Sequence, residues 1–230
     1  MTSSLHAVDL IEPGERLIRT RHATRAFLPK EVPEATLHAV FSLAANAPSN
    51  SNTQPWQVEV ASGAARERLA DALVAAHAAG RESVDFPFRE GLFQGVQQTR
   101  RSEFGALLYE ALGIPRGDAD LLEGYNVESL RFYGAPHVVM LFAPANTEAR
   151  VAADMGIYAQ TLLLALTAYG IASCPQALLS FYADTVREEL QVTDRKLLMG
   201  ISFGYADENA PVNTVRVPRA ELAETARFHR

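Results

Sequence analysis

From Asp154 to Tyr169 the chain has helical spacing and carries apolar residues on nearly all sides of that helix. A helix of this kind must be buried, in a core or in a contact between subunits. Gly170 occupies the position after its end, where left-handed backbone is needed. The longest uninterrupted aliphatic run within it, Leu162 to Leu166, is far shorter than the roughly 20 residues that span a bilayer. A soluble protein with no membrane partner is therefore expected. The 230 residues, 48% of them hydrophobic, suffice for a sizeable core, as one large domain or a domain with an excursion.

The other elements follow from periodicity and breakers. Glu15 to Ala23 reads as a first helix, with Pro13-Gly14 before it and Phe27-Leu28-Pro29 after it. Pro33 to Ala45 reads as a second, with Leu37, Val40, Phe41 and Ala44 at three- and four-residue steps. Trp56 to Val60 alternates as a strand does, and Ala64 to Ala79 is helical. Between Arg81 and Gly124 only Val96 to Leu112 reads clearly, as a helix ended by Gly113 and Pro115. With Phe86, Phe88 and Phe93 nearby, residues 81–128 are expected to form an excursion or lid over the active site of a single domain, residues 1–230. His137 to Phe142 is a buried strand, Thr185 to Leu190 a short helix, Lys196 to Gly204 a strand, and Val215 to Val217 a last one. Helices outnumber strands, which predicts an α+β layer arrangement.

Several functions are disfavoured. A net charge of -6 argues against a nucleic-acid surface, though not against a local basic pocket for one anion. No histidine pairs with another His or with Cys at metal-ligand spacing, so no zinc site is expected. Cys174 is the only cysteine, which suits a reducing cytosol, and Met1 to Glu15 shows no signal peptide; a cytoplasmic location is expected. Gly200-Ile201-Ser202-Phe203-Gly204 matches the G-x-S-x-G nucleophile pattern. That motif requires a helix after the turn, whereas Tyr205 to Pro211 reads as loop. Ser202 is better read as part of a strand.

Two polar clusters stand at the ends of the chain. Arg21-His22-Ala23-Thr24-Arg25 places two guanidinium groups four apart, on one face of a helix end. Ala47-Pro48-Ser49-Asn50-Ser51-Asn52-Thr53-Gln54-Pro55-Trp56 runs into a strand. Singly, these are a solvated cationic face and a polar turn. Together with Ala172 to Gln176, Gly204 to Asp207 and Asn213 to Arg219, they make the chain resemble the FMN-dependent nitroreductase family from about Arg16 to Arg219. Leu108 to Asp118 and Phe132 to His137 resemble the branch containing nitrobenzoate reductases.

The resemblance implies a central, mostly antiparallel sheet flanked by helices, in an intertwined homodimer with FMN at its interface. Arg21, Arg216 and Arg219 match the phosphate-binding positions, and paired guanidinium bonds suit a phosphate dianion. His22 and Ala23 fall in the same motif. Arg25 matches the position facing the flavin N1–C2=O edge, where reduction builds negative charge. Arg131 and Ser129 are candidates in the same region. Pro48, Ser49, Asn50 and Asn52 match the segment given to the neighbour's flavin. Pro175 and Gln176 match the loop at flavin N5, where a backbone N–H is expected to matter more than the Gln176 side chain. Family members often carry Ser at the Ala23 position, so one hydroxyl contact to phosphate is missing. The implied activity is hydride transfer from NAD(P)H through the flavin to a nitroaromatic or quinone-type acceptor by a ping-pong route, with no catalytic side chain required. The alternatives are a non-enzymatic flavin-binding protein, or an enzyme of the same fold acting on enones, azo dyes or halogenated phenols.

Overall fold

The structure, a computed structural model, describes residues 10–89 and 91–230. Part of the stretch from Met1 to Glu15, read above as free of a signal peptide, thus lies outside the described residues. In chain order the elements are α1 (Ile11–Thr20), α2 (Glu34–Ala44), β1 (Gln57–Ser62), α3 (Gly63–Ala78), α4 (Val96–Leu112), α5 (Ala119–Leu130), β2 (His137–Pro144), α6 (Ala149–Ala168), β3 (Ala172–Gln176), α7 (Ala183–Leu190), β4 (Arg195–Gly204) and α8 (Leu222–Thr225). The strands form one sheet in the order β1-β2-β4-β3, with every neighbouring pair antiparallel. The expected α+β arrangement is present.

β2 lies inside the sheet, and its residues alternate between two cores. Val138, Met140 and Phe142 join Leu69 and Leu73 of α3 and Val186 of α7. Val139, Leu141 and Ala143 join Val40 of α2 and Met155, Leu162 and Leu166 of α6. Each large apolar side chain buried in this way contributes about 1.5–3 kcal/mol. The two helix layers therefore hold the sheet from both faces.

α6 starts five residues before the Asp154 expected from sequence. By length and composition alone it is apolar enough to cross a membrane, with a mean hydropathy of 1.4 over its best window. Its buried residues, from Asp154 to Leu166, instead pack on α2, β2 and β3. Ile157 on its outer side stays 41% exposed.

The structure corrects four other boundaries. α1 ends at Thr20, so Arg21 and Arg25 do not share a helix face. They lie on an extended segment, where residues four apart also point the same way. Ala172 to Gln176, of which only Pro175 and Gln176 were matched to a loop, is an edge strand; Pro175 hides it in the sequence but is tolerated at an edge. α5 was not read at all, although Asp118 caps it, its carboxylate accepting the Leu121 N–H at 3.0 Å. Val215 to Val217 forms no strand.

The glycines around Ser202 have a packing explanation. A Cβ on Gly200 would collide with the Leu179 side chain, and one on Gly204 would sit 2.6 Å from Pro136 Cδ. Ser202 is fully buried in β4, and its hydroxyl donates to Gln176 Oε1. The nucleophile pattern is thus a strand packed closely against its neighbours.

His137, 2% exposed at the start of β2, stacks on Phe203. Its Nε2 accepts the Val32 N–H at 2.9 Å, so Nδ1 carries the proton and meets Ser62 Oγ at 2.6 Å. Burial lowers its pKa, with Glu31 opposing. Protonating Nε2 would set a donor against a donor. Because the folded pKa is depressed, the imidazole's contribution is complete above the unfolded pKa of about 6.5 and declines as pH falls below it. Urea unfolding between pH 7.5 and 5.5 should show that decline, and His137→Gln should flatten it. An equal slope in both proteins would refute the assignment.

Candidate functional site

The sheet edge organises the site. The segment after α1 runs beside β3, with Ala23 bridged to Ser173 and the Thr24 N–H donating to the Ser173 carbonyl at 3.0 Å. Phe27 bridges to Ala206 beyond β4. Thr24 is buried at 1% exposure, and Arg21, Ala23 and Arg25 line a cavity of about 970 Å³.

Asn213 joins the two ends of the chain at this cavity. Its Oδ1 accepts the Arg25 N–H at 2.7 Å, and its Nδ2 donates to the carbonyls of Ala26 and Asp207, each at 2.8 Å. Every polar atom of the amide is thus used. From this clamp the chain turns through Pro211–Thr214 and brings Arg216 and Arg219 to the same cavity. Arg216 Nη1 donates to the Asn213 carbonyl at 2.8 Å, and Arg219 Nη1 to that of Val217 at 2.8 Å. Both keep further donors without a partner among the described residues.

The wall carries five guanidinium groups, Arg19, Arg21, Arg25, Arg216 and Arg219, against one carboxylate, Glu15. Glu15 and Arg19 face each other at 3.8 Å. Among the described residues the other four arginines have no carboxylate partner. A chain of net charge -6 thus concentrates unneutralised cations in one concavity, a physical signature of an anion site.

Arg25 is the most constrained of them. Burial works against its charge, but Cys174, Tyr125 and Tyr133 outweigh it and hold the guanidinium above its ordinary pKa. Burial pushes the Cys174 thiol up to about 11, with Arg25 opposing. Burial likewise raises both phenols, whose oxygens lie 3.0 Å apart. At neutral pH Arg25 is therefore a cation among neutral groups, and its charge faces the cavity undiminished. Phe104 of α4 lies over it, 5.3 Å from guanidinium carbon to ring centroid. That distance suits a cation–π contact.

Half of the residues expected from sequence meet here: Arg21, His22, Ala23, Arg25, Pro175, Arg216 and Arg219 all line the cavity. His22 Nδ1 donates to the Thr20 carbonyl at 2.8 Å, and Nε2 has no partner among the described residues. Ser129 and Gln176 do not line it. Each is 4% exposed, and Gln176 Nε2 donates to the Ser129 carbonyl at 2.7 Å and hydroxyl at 3.0 Å. The Gln176 side chain is thus a buried tie between α5, β3 and β4, a structural role beside the one expected of its backbone. Arg131 is held outside the cavity by Asp71 at 3.1 Å. Pro48, Ser49, Asn50 and Asn52 are also absent from its wall, and the turn Asn50–Asn52 packs toward α6. Gln160 of α6 lines the cavity and was not anticipated. It is a polar residue within an apolar helix, which is the signal that marks it.

The pattern of the family described as "Nitroreductase family" matches residues 18–205, and the chain belongs to that family. It is 74% identical over 223 residues to nitroreductase NfnB of Mycolicibacterium smegmatis (strain ATCC 700084 / mc(2)155), covering 97% of this chain and 95% of that protein. It is 34% identical over 213 residues to the 4-nitrobenzoate reductase of Nocardioides sp. (strain LMS-CY), covering 90% and 86% of the two chains. Its fold superposes with a TM-score of 0.96 on the crystal structure of the FMN-dependent nitroreductase NfnB from Mycobacterium smegmatis in complex with NADPH, at 73% identity over 96% of this chain and 100% of that one.

Proposed function

We propose that the protein is an FMN-dependent nitroreductase that works as a homodimer and takes its reducing equivalents from NAD(P)H. The observation that carries this reading is the set of four unneutralised arginines around one cavity, in a chain of this family. Their donor chemistry fits a flavin phosphate and an electron-rich ring edge. FMN held there would supply hydride transfer from NAD(P)H to a nitroaromatic or quinone-type acceptor, in a ping-pong sequence. The chain's own work is binding, orientation and electrostatics.

Arg21, Arg216 and Arg219 are assigned to the phosphate. Arg25 is assigned to the edge where negative charge develops, because Asn213 fixes its backbone and neutral groups surround it. Pro175 on the wall, and the backbone of Gln176 beside it, are assigned to the reacting end of the ring. Residues 81–128 are assigned to the cover. α4 buries only Leu108 among its own residues, yet places Phe104 on the cavity wall. The dimer reading is supported by the apolar surface of α1 and α6. α1 buries none of its residues, with Ile11 59% and Ile18 62% exposed.

Purified protein loaded with FMN should bleach rapidly with NADPH or NADH under anaerobic conditions and regain its colour on addition of 4-nitrobenzoate, at a dimer mass by light scattering. A flavin that stays oxidised with both nicotinamides would leave a flavin-binding protein without this activity.

A further inference from the structure

The loop from Pro48 to Gln54 is bent against its own preferences. Ser51, Asn52 and Gln54 have φ of 51°, 56° and 45°, in the region that glycine favours. Such backbone persists only where its surroundings impose it. Within the loop, Ser49 Oγ accepts the Gln54 N–H at 2.9 Å, and Gln54 Nε2 donates to the Asn52 carbonyl at 3.2 Å.

The outside restraint comes from one face of α6. Asp154 is 6% exposed, and its Oδ1 accepts the Asn50 N–H at 3.1 Å. One turn further along, Tyr158 stacks on Trp56 with ring centroids 4.8 Å apart. Residues four apart on one helix therefore hold the loop at Asn50 and the chain just after it at Trp56. Asp154 has no cationic partner among the described residues. A carboxylate taken out of water without a counter-ion is costly, and core packing alone would be better served by an apolar residue. The hydrogen bond it makes is to the loop.

We propose that Asp154 is a positioning residue for the flavin site of the neighbouring subunit, holding the Asn50 loop in its strained form before cofactor arrives. This rests on the FMN and dimer reading above. A loop ordered in advance spares the cofactor the cost of ordering it. What Asp154 supplies is an acceptor at Asn50, so asparagine, with a carbonyl at the same reach, should substitute for it and alanine should not.

FMN affinity of the folded apoprotein, measured by quenching of flavin fluorescence, reads this directly. Asp154→Ala should raise the FMN Kd about tenfold, the loss of one charge-assisted hydrogen bond. Asp154→Asn should lose less, about threefold, since a neutral acceptor keeps about half of that bond. Equal losses in both variants, or no loss in Asp154→Ala, would overturn the proposal. If Asp154→Ala does not fold, Tyr158→Leu takes its place: it releases the chain just after the loop, at Trp56, and should weaken FMN more than Asp154→Asn does. Hybrid dimers, purified through two different tags, decide which flavin the residue serves. In a dimer of one Arg21→Ala chain and one Asp154→Ala chain, both defects fall on the same site. One FMN per dimer should then bind with parental affinity. Two weakened sites would show Asp154 acting on its own subunit's flavin and sink the proposal. An Arg21→Ala homodimer with parental affinity would sink instead the cofactor reading beneath it.

Discussion

Replacing Arg21 by alanine is expected to weaken FMN binding by about 1.5–3 kcal/mol, the worth of a hydrogen bond to a charged group, which is roughly a 10- to 150-fold rise in Kd. Arg21 lines the cavity from an extended segment locked to β3, so neighbouring backbone cannot move in to replace it. It has no carboxylate partner among the described residues, so none of its binding capacity is already spent. Arg21→Lys should recover only part of the loss, because an ammonium cannot make the paired bonds of a planar fork. Titration with FMN at fixed ionic strength measures both. Unchanged affinity in Arg21→Ala would place the phosphate elsewhere.

The largest effect on stability is expected at Arg66. This arginine is 8% exposed on α3. Its guanidinium donates to the Ala135 carbonyl at 3.1 Å and the Arg131 carbonyl at 2.5 Å, and it lies 5.1 Å from the ring of Phe132. The turn it holds is strained: Phe132 and Tyr133 have φ of 62° and 54°, which bulky residues rarely adopt. Two charge-assisted bonds are worth about 1.5–3 kcal/mol each, and they share one side chain, so Arg66→Ala should cost about 3–5 kcal/mol. Urea unfolding followed by far-ultraviolet circular dichroism measures it. A cost under about 1 kcal/mol, the range of an exposed cation, would contradict this account. Tyr133 follows directly in this turn and faces Arg25, so loosening the turn should also disturb the cavity.

Much of this was legible in the chain itself. The apolar circumference of α6 announced a buried helix, and the run from His137 announced a strand covered on both faces. Arg21, Arg25, Arg216 and Arg219 were legible as a set because both ends of the chain resemble one family, which relates them across nearly 200 positions of sequence. What stayed hidden was of two kinds. Pro175 disguised β3, because proline is tolerated on an edge strand that propensity alone cannot identify. Arg66 looked like any surface cation on α3, because its worth lies in two carbonyls more than 60 residues away. Gln176 was hidden for the same reason: its buried partners, Ser129 and Ser202, come from separate elements.

The uncompensated arginines have a consequence for the protein's life before cofactor reaches it. Four like charges held around an empty cavity repel one another, and that repulsion is released when the chain unfolds. Flavin bound to the folded form alone removes it and adds its own binding free energy, about 2.7 kcal/mol when free FMN stands at 100 times its Kd. A cell short of riboflavin would therefore hold this protein in its least durable form, open to proteolysis.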